Sequence, residues 1–378
     1  KSNFMKKFLL PAFMLFALAF TSCDLFNPDD DDDVILITES ITTPTTWLGS
    51  KTYVVETGID IDGTTLTIEP GTTIKFKSGA YLSFGWSDNV TLIANGTEDK
   101  PIVFTAYASN PAPGSWEGLW FYGSTLSNSS MTYCEIQYAG QNDHPAVNLD
   151  EKITMNNCKI QGAKKIGIYA AKGFVSFSGN TIENVGTHAI EIESLGVTTL
   201  GSNNTITCES NYGIKVRGGD INTPTATITE QTVPYYIDGA INVEQTLTIQ
   251  PGVVLKFHAD TWIDFGYYES TTLNAVGTEE KPIIFTTAAS TPAPGAWHGV
   301  FFYSHTTSNT LMKHCIVEYA GDETDNANIS IYEVDGLTIE DCTIRYSSGW
   351  GIFSWYSSFN DNNNTYTDNA LGDVSINN

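Results

Sequence analysis

Side chains able to do chemistry are unevenly supplied in this chain, with six His and six Cys against 43 Asp plus Glu among 378 residues. Metal binding needs His, Cys or carboxylate groups that fold onto one point, and acid–base catalysis needs them held in pairs. His298, His305 and His314 lie close together in the chain, but they fall on different parts of a short-strand repeat, so no metal site is expected from them. The stretch DIDG, Asp60–Gly63, lacks the other ligands of a calcium loop and reads as a strand end. A second concentration is basic: Lys159, Lys164, Lys165, Lys172, Lys215 and Arg217 gather near His188, Glu191 and Glu193. Within it, Lys164, Lys165, Lys215 and Arg217 form the patch that could hold an anionic sugar chain. The plainer reading is a solvated strand face on which Lys215 and Arg217 alternate with Ile214 and Val216.

Aromatic residues make a third candidate. In GWGIFSWYSSF, Trp350 and Phe353 are expected to face outward, and Trp355 and Tyr356 to follow a turn. Exposed planar rings of this kind can stack on sugar faces, which makes these four the candidate ligand-binding residues. Packing that seals the last strands against edge-to-edge association is the alternative.

The elements that must carry these groups are short and repeated. Ile136, Ile160, Ile182 and Ile206 follow one another at nearly even spacing, each two positions after a Cys or Asn. Ile168, Ile190 and Ile214 stand a further eight positions beyond three of them, and Ile344 and Ile352 repeat the frame after Cys342. A period of about 23 residues built from short alternating stretches, broken by Gly and Asn, predicts a solenoid of three short strands per coil. Stacked coils place like residue on like, so Cys and Asn are expected to form inward ladders beside the isoleucines. Charged residues are only 16% of the chain, and Thr, Asn, Gly, Tyr and Phe are abundant, so almost no helix is expected.

The chain also says much the same thing twice. PAPGSWEGLWFY at Pro111–Tyr122 returns as PAPGAWHGVFFY at Pro292–Tyr303, and an offset of 181 holds without insertion from Leu66–Gly140 to Leu247–Gly321. The frame Pro-Gly-x-Trp-x-Gly is kept, while its one ionisable residue changes from Glu117 to His298. A catalytic group used twice would keep its chemistry, so Trp116 and Trp297 read as turn anchors, and any difference between the halves begins at Glu117 and His298.

With LTIEPGTTIKF, GTEDKPIVFT, PGSWEGLWF and QYAG answered by LTIQPGVVLKF, GTEEKPIIFT, PGAWHGVFF and EYAG, residues 45–370 resemble the right-handed parallel β-helix of the pectin-lyase-like superfamily. The resemblance implies an all-β, single-stranded right-handed parallel β-helix, with two related modules in one rod. It also implies where cleavage chemistry would sit. Relatives that cut polysaccharide use clustered aspartates for hydrolysis, or a Lys or Arg base beside a calcium-binding carboxylate group for elimination. The hydrolase motifs resemble Asn-Thr-Asp, Asp-Asp, Gly-His-Gly and Arg-x-Lys, and NTIEN, GTHAI and KVR fail them at the needed positions. No catalytic residue is assigned and no cofactor is expected, calcium being the one to test.

Address is read from the start of the chain. MKKFLLPAFMLFALAFTSC, from Met5, has a basic start and a short apolar run, Phe8–Phe20, too short to span a bilayer and suited to an export signal. LAFTSC resembles a lipobox with Cys23 as the lipid-bearing residue, and the five aspartates Asp29–Asp33 beyond it resemble the export signal of Gram-negative surface lipoproteins. The expected organisation is a signal peptide at 1–22, an acidic tether at 23–44, a first module with extra coils at 45–230 and a second at 231–378. An odd five cysteines beyond Cys23 argue against a disulfide framework and for buried free thiols. A formal charge of −25 makes nucleic acid an improbable partner. The expectation is an exported, outer-membrane, non-catalytic β-helix, anchored through its lipid on the cell surface and binding glycan or another surface component. A polysaccharide lyase or glycoside hydrolase working from the central coils, and a structural stalk, stand as alternatives.

Overall fold

A computed structural model describes residues 33–209, 212–322 and 326–377. The signal segment, Cys23 and the tether as far as residue 32 lie outside the described residues. From Asp33 onward the chain is one compact unit, a right-handed parallel β-helix in which each coil lays one short strand on each of three walls.

The physical reason is strict alternation. Thr73–Phe76, Thr65–Ile68 and Lys159–Gln161 each point alternate side chains into the axis, and every strand pairs in parallel with the same stretch one coil away. Like then meets like. Ile136, Ile160, Ile182 and Ile206 are direct neighbours on the first wall, and Ile168, Ile190 and Ile214 on the second. The Cys and Asn ladders form beside them: the Cys158 backbone N–H donates to Asn180 Oδ1 at 2.9 Å, and Asn180 N–H donates to Asn204 Oδ1 at 3.0 Å. Cys342 N–H donates likewise to Asn364 Oδ1 at 2.8 Å in the second copy. The five described cysteines are free thiols. Cys208 departs from the expectation of full burial: it lies two residues beyond Ile206 instead of two before, and is only half-buried.

Two boundaries shift. The tether expected through residue 44 gives way to strand at Val34–Ile37, which pairs with Thr52–Val55, and a second strand, Thr45–Trp47, follows directly on its expected end. The run VILI supplies β-branched residues that find a wall to extend. Trp355, expected after a turn, is the last residue of the strand Trp350–Trp355, and only Tyr356 lies beyond it, at φ 44°.

The two copies stack with their walls out of step. The second wall of the first copy ends at Ile190–Glu193, then continues through Ile214–Arg217 and Tyr235–Asp238 into Val254–Phe257. At the offset of 181, Val254–Phe257 is the counterpart of Thr73–Phe76, which belongs to the first wall. The second copy therefore sits on the first with its walls advanced by one around the axis. Two long strands make the change, Ile214–Ile221 and Tyr235–Val243. Both bend round a corner, with the register broken between Arg217 and Gly219.

The repeated frame of the two copies sets the corner before a second-wall strand. Gly118 and Gly299 hold φ of 148° and 140°, and a Cβ on either would stand 2.9 Å from the carbonyl oxygen of Ala146 or Ala327. Only glycine fits there. Trp116 and Trp297 are fully buried, stacked on Phe76 and Phe257 at 3.9 and 4.1 Å.

Candidate functional site

On a wall whose inward residues are fixed by the core, the outward ones are free to differ, and those of the second wall carry polar and aromatic groups. One outward file runs through the first copy as Asp60, Ser83, Trp120, Asn148, Tyr169, Glu191 and Lys215 and reaches Tyr236 at the start of the second, each in register with the next. Near its start, Tyr81 stacks on Trp120 at 4.2 Å, Trp86 meets Tyr122 edge-on at 4.8 Å, and His144 approaches Trp120 at 5.3 Å. Two depressions of about 270 and 200 Å³ open between these rings and share Trp120 and Tyr122. Asp60 lines the larger one and accepts the Ser83 hydroxyl at 2.5 Å.

Farther along the file, the expected basic patch is present as ion pairs. Lys215 lies 2.7 Å from Asp238 and 3.9 Å from Glu191, and Arg217 binds Glu191 and Glu193 while covering the Tyr169 ring at 4.9 Å. Lys164 and Lys165 form a separate group on Asp143, at 3.1 and 2.9 Å, and hold its carboxyl below the usual range. Burial, with Lys215 beside it, pushes the His188 imidazole down and favours its neutral form.

The matching wall of the second copy starts from Asp220 at the end of the first and carries Asn242, Asp264, Phe301, Ser330 and Phe353 in one register file. Beside it Tyr303 stacks on Tyr332 at 5.4 Å, and Tyr332 stands opposite Trp355. Of the four aromatic residues expected to bind a ligand, Phe353 and Trp355 share this outward face and Tyr356 meets Trp355 edge-on at 5.1 Å. Trp350 is half-buried, with its ring against Gly372 of the last strand. Trp86, Trp120 and Tyr122 are not among the residues singled out from the sequence. The signal for Trp120 is alternation, since it stands between Leu119 and Phe121, both of which point inward.

Asp264 stands out among the outward residues for a buried carboxylate oxygen that has no hydrogen-bond partner. It is buried, Oδ2 accepts the Trp262 indole N–H at 2.8 Å, and Oδ1 has no partner. Burial, with Glu244 and Asp220 adding to it, raises its carboxyl from 3.8 to about 6. The folded state thus prefers the proton more than the unfolded state does. Its stabilisation is complete below pH 3.8 and lost as pH rises through about 6. The difference corresponds to about 3 kcal/mol. Asp264→Asn is expected to raise stability by up to that amount at pH 8 and to change little at pH 3.5, as denaturant midpoints at the two pH values would show. An equal change at both would remove this assignment.

At the corner before the same wall, Asp260, His298 and Asp322 converge. His298 Nε2 lies 3.3 Å from Asp322 Oδ1 and 3.9 Å from Asp260 Oδ1, and one ligand atom from each residue falls within 4.8 Å of the others. Among the described residues, His305 and His314 do not join them. The sequence did not show this group because its members are far apart along the chain and meet only when successive coils stack.

Comparison with known families finds the same architecture. The family model described as a pectate-lyase-like β-helix domain matches residues 39–146 and again 219–346, and one described as a right-handed β-helix region matches residues 102–230. No curated protein matches the chain. A solved structure, the catalytic domain of a GH87 alpha-1,3-glucanase in complex with tetrasaccharides, aligns over 95% of this chain and 70% of that one, at 12% identity and a TM-score of 0.30.

Proposed function

The chain belongs to the pectate-lyase-like β-helix domain family, and on that footing we propose that it is an exported, lipid-anchored carbohydrate-binding β-helix that holds a glycan chain along its ring-bearing walls without cleaving it. One observation carries the reading. In each copy the second wall gathers rings at its outer side: Tyr81, Trp86, Trp120 and Tyr122 in the first, Tyr303, Tyr332, Phe353 and Trp355 in the second, with Trp86 and Trp355 the most exposed. Exposed rings such as Trp86 and Trp355 can pack against a linear chain of sugars, and the depressions at Trp120 and Tyr122 give it a seat. The exported address rests on the sequence from Met5 to Asp33, with Cys23 as the lipid site.

Cleavage from the central coils has one observation in its favour, the meeting of Tyr169, Glu191, Glu193, Lys215 and Arg217 on one wall. Each of those cations is matched by a carboxylate at ion-pair distance, so little net positive charge is left to draw in a uronate chain.

A glycan array with and without calcium tests the proposal. Binding is expected to weaken at least tenfold, about 1.4 kcal/mol, in both Trp120→Ala and Trp355→Ala. Binding that survives both changes removes the ring faces as the site, and new unsaturated or reducing ends in the glycan make the protein an enzyme. Absence of fatty-acid label at Cys23 in the native host removes the anchor.

A further inference from the structure

We propose that the corner formed by Asp260, His298 and Asp322 binds one divalent transition-metal ion of the zinc class, a site present in the second copy and missing from the first. The donor set is one imidazole nitrogen and two carboxylate oxygens brought to one corner by successive coils. In tetrahedral coordination with bonds of about 2.0–2.1 Å, ligand atoms stand roughly 3.3 Å apart. The His298–Asp322 separation of 3.3 Å already meets that edge, and the 3.9 Å to Asp260 closes with a rotamer change of an exposed side chain. Imidazole favours zinc, copper, iron or nickel over calcium, whose sites are built from oxygens.

The site is built and not a chance meeting of surface charges. His298 is held by backbone bonds on both sides: its N–H donates to the Thr261 carbonyl at 3.1 Å and its carbonyl accepts Gly321 N–H at 3.1 Å. Its imidazole lies parallel to the Trp262 indole at 5.3 Å, and that indole is fixed by its bond to Asp264. Three protein ligands leave one tetrahedral position for solvent.

The first copy supplies the comparison. At the offset of 181 the three positions are Gly79, Glu117 and Gln141. There the corner is tied without an ion: Gly79 N–H donates to Gln141 Oε1 at 2.7 Å, Gln141 Nε2 donates to Ser78 at 3.0 Å, and Asn142 donates to Glu117 at 3.1 Å. At the same three positions the second copy carries two carboxylates and an imidazole, the donor types that a zinc-class cation takes.

The test is a titration of chelator-stripped protein with Zn²⁺ by calorimetry and with Co²⁺ by its visible absorption, with Ca²⁺ as a third arm. One equivalent of zinc is expected to bind, and cobalt to give the bands of a low-coordinate site. Outer-shell partners typically account for about 10–100-fold in metal affinity, and His298→Ala is expected to cost more than that. Asp260→Asn, at an exposed position whose left-handed backbone Asn also tolerates, is expected to weaken zinc at least tenfold, and His305→Ala to leave it unchanged. Zinc binding that survives both His298→Ala and Asp260→Asn, no binding at all by the intact protein, or calcium bound in preference to zinc would each overturn the assignment.

Discussion

Replacing Trp297 by Ala is expected to lower the unfolding free energy by about 3–5 kcal/mol, the range for truncating a large buried ring. The indole is fully buried, stacks on Phe257 at 4.1 Å and 10°, and donates its N–H to the Glu318 carbonyl one coil on, at 2.9 Å. Alanine removes the ring, leaves a cavity between two coils and orphans that carbonyl. Trp297→Phe keeps the stack and loses the bond, so it should cost about 1–3 kcal/mol, the penalty of one buried unsatisfied group. Trp116 makes the same contacts, stacking on Phe76 and donating to Gln137 O at 2.8 Å, and its substitution should behave alike. Guanidinium unfolding followed by circular dichroism would measure both. A loss below about 1 kcal/mol for Trp297→Ala, the size of an ordinary surface change or less, would show that the repeated Pro-Gly-x-Trp-x-Gly frame is not the anchor of its corner. Because coils of a solenoid contact only their neighbours, hydrogen exchange in Trp297→Ala should rise in the coils around Phe257 and Glu318 before it rises near Phe76.

Asn180→Ala is expected to cost about 2–4 kcal/mol, since one or more buried groups are left unpaired. The side chain is fully buried and serves three coils: Oδ1 accepts Cys158 N–H, and Nδ2 donates to Met155 O at 3.0 Å and to Asn204 Oδ1 at 3.2 Å. Alanine packs well enough but answers none of these. Cysteine is the informative control, because the chain itself places Cys in this ladder, where Cys342 Sγ accepts the Cys315 N–H at 3.4 Å. Asn180→Cys should therefore recover part of the loss. Thermal unfolding of the two variants side by side decides the matter, and a cysteine variant no better than alanine would mean that the ladder is held by packing alone.

The legible part of the fold was its inward half. The evenly spaced isoleucines Ile136, Ile160, Ile182 and Ile206 could be seen without coordinates because a core that stacks like on like must repeat its residue types at the coil period. Cys158, Asn180 and Asn204 were legible for the same reason: each holds a position two residues before an inward Ile, and that place needs a small group able to meet the backbone N–H of the preceding coil. The outward half was less legible. Trp350 was expected to face a ligand and is instead packed against Gly372, while Trp120 and Tyr122 did not stand out. Alternation tells in from out, but it does not tell which outward ring lies open and which is covered by the next coil. The basic cluster shows the same limit. Lys215 and Arg217 are outward as expected, and the carboxylates that meet them, Asp238, Glu191 and Glu193, come from neighbouring coils about one period away.

The sequence by itself determined the coil, its period, the inward ladders and the existence of two copies with a shared corner, because all of these follow from local alternation and from what a parallel stack requires of equivalent positions. Only the tertiary structure decided how the copies face one another. The long strands Ile214–Ile221 and Tyr235–Val243 advance the walls by one, so the second wall of the first copy continues into the second copy as its first wall. It also decided that Asp260, His298 and Asp322 meet. Residues far apart along the chain become neighbours when each coil rises by only the width of one strand, and the number of turn residues in each coil, which no repeat of residue types fixes, sets which of them share a corner.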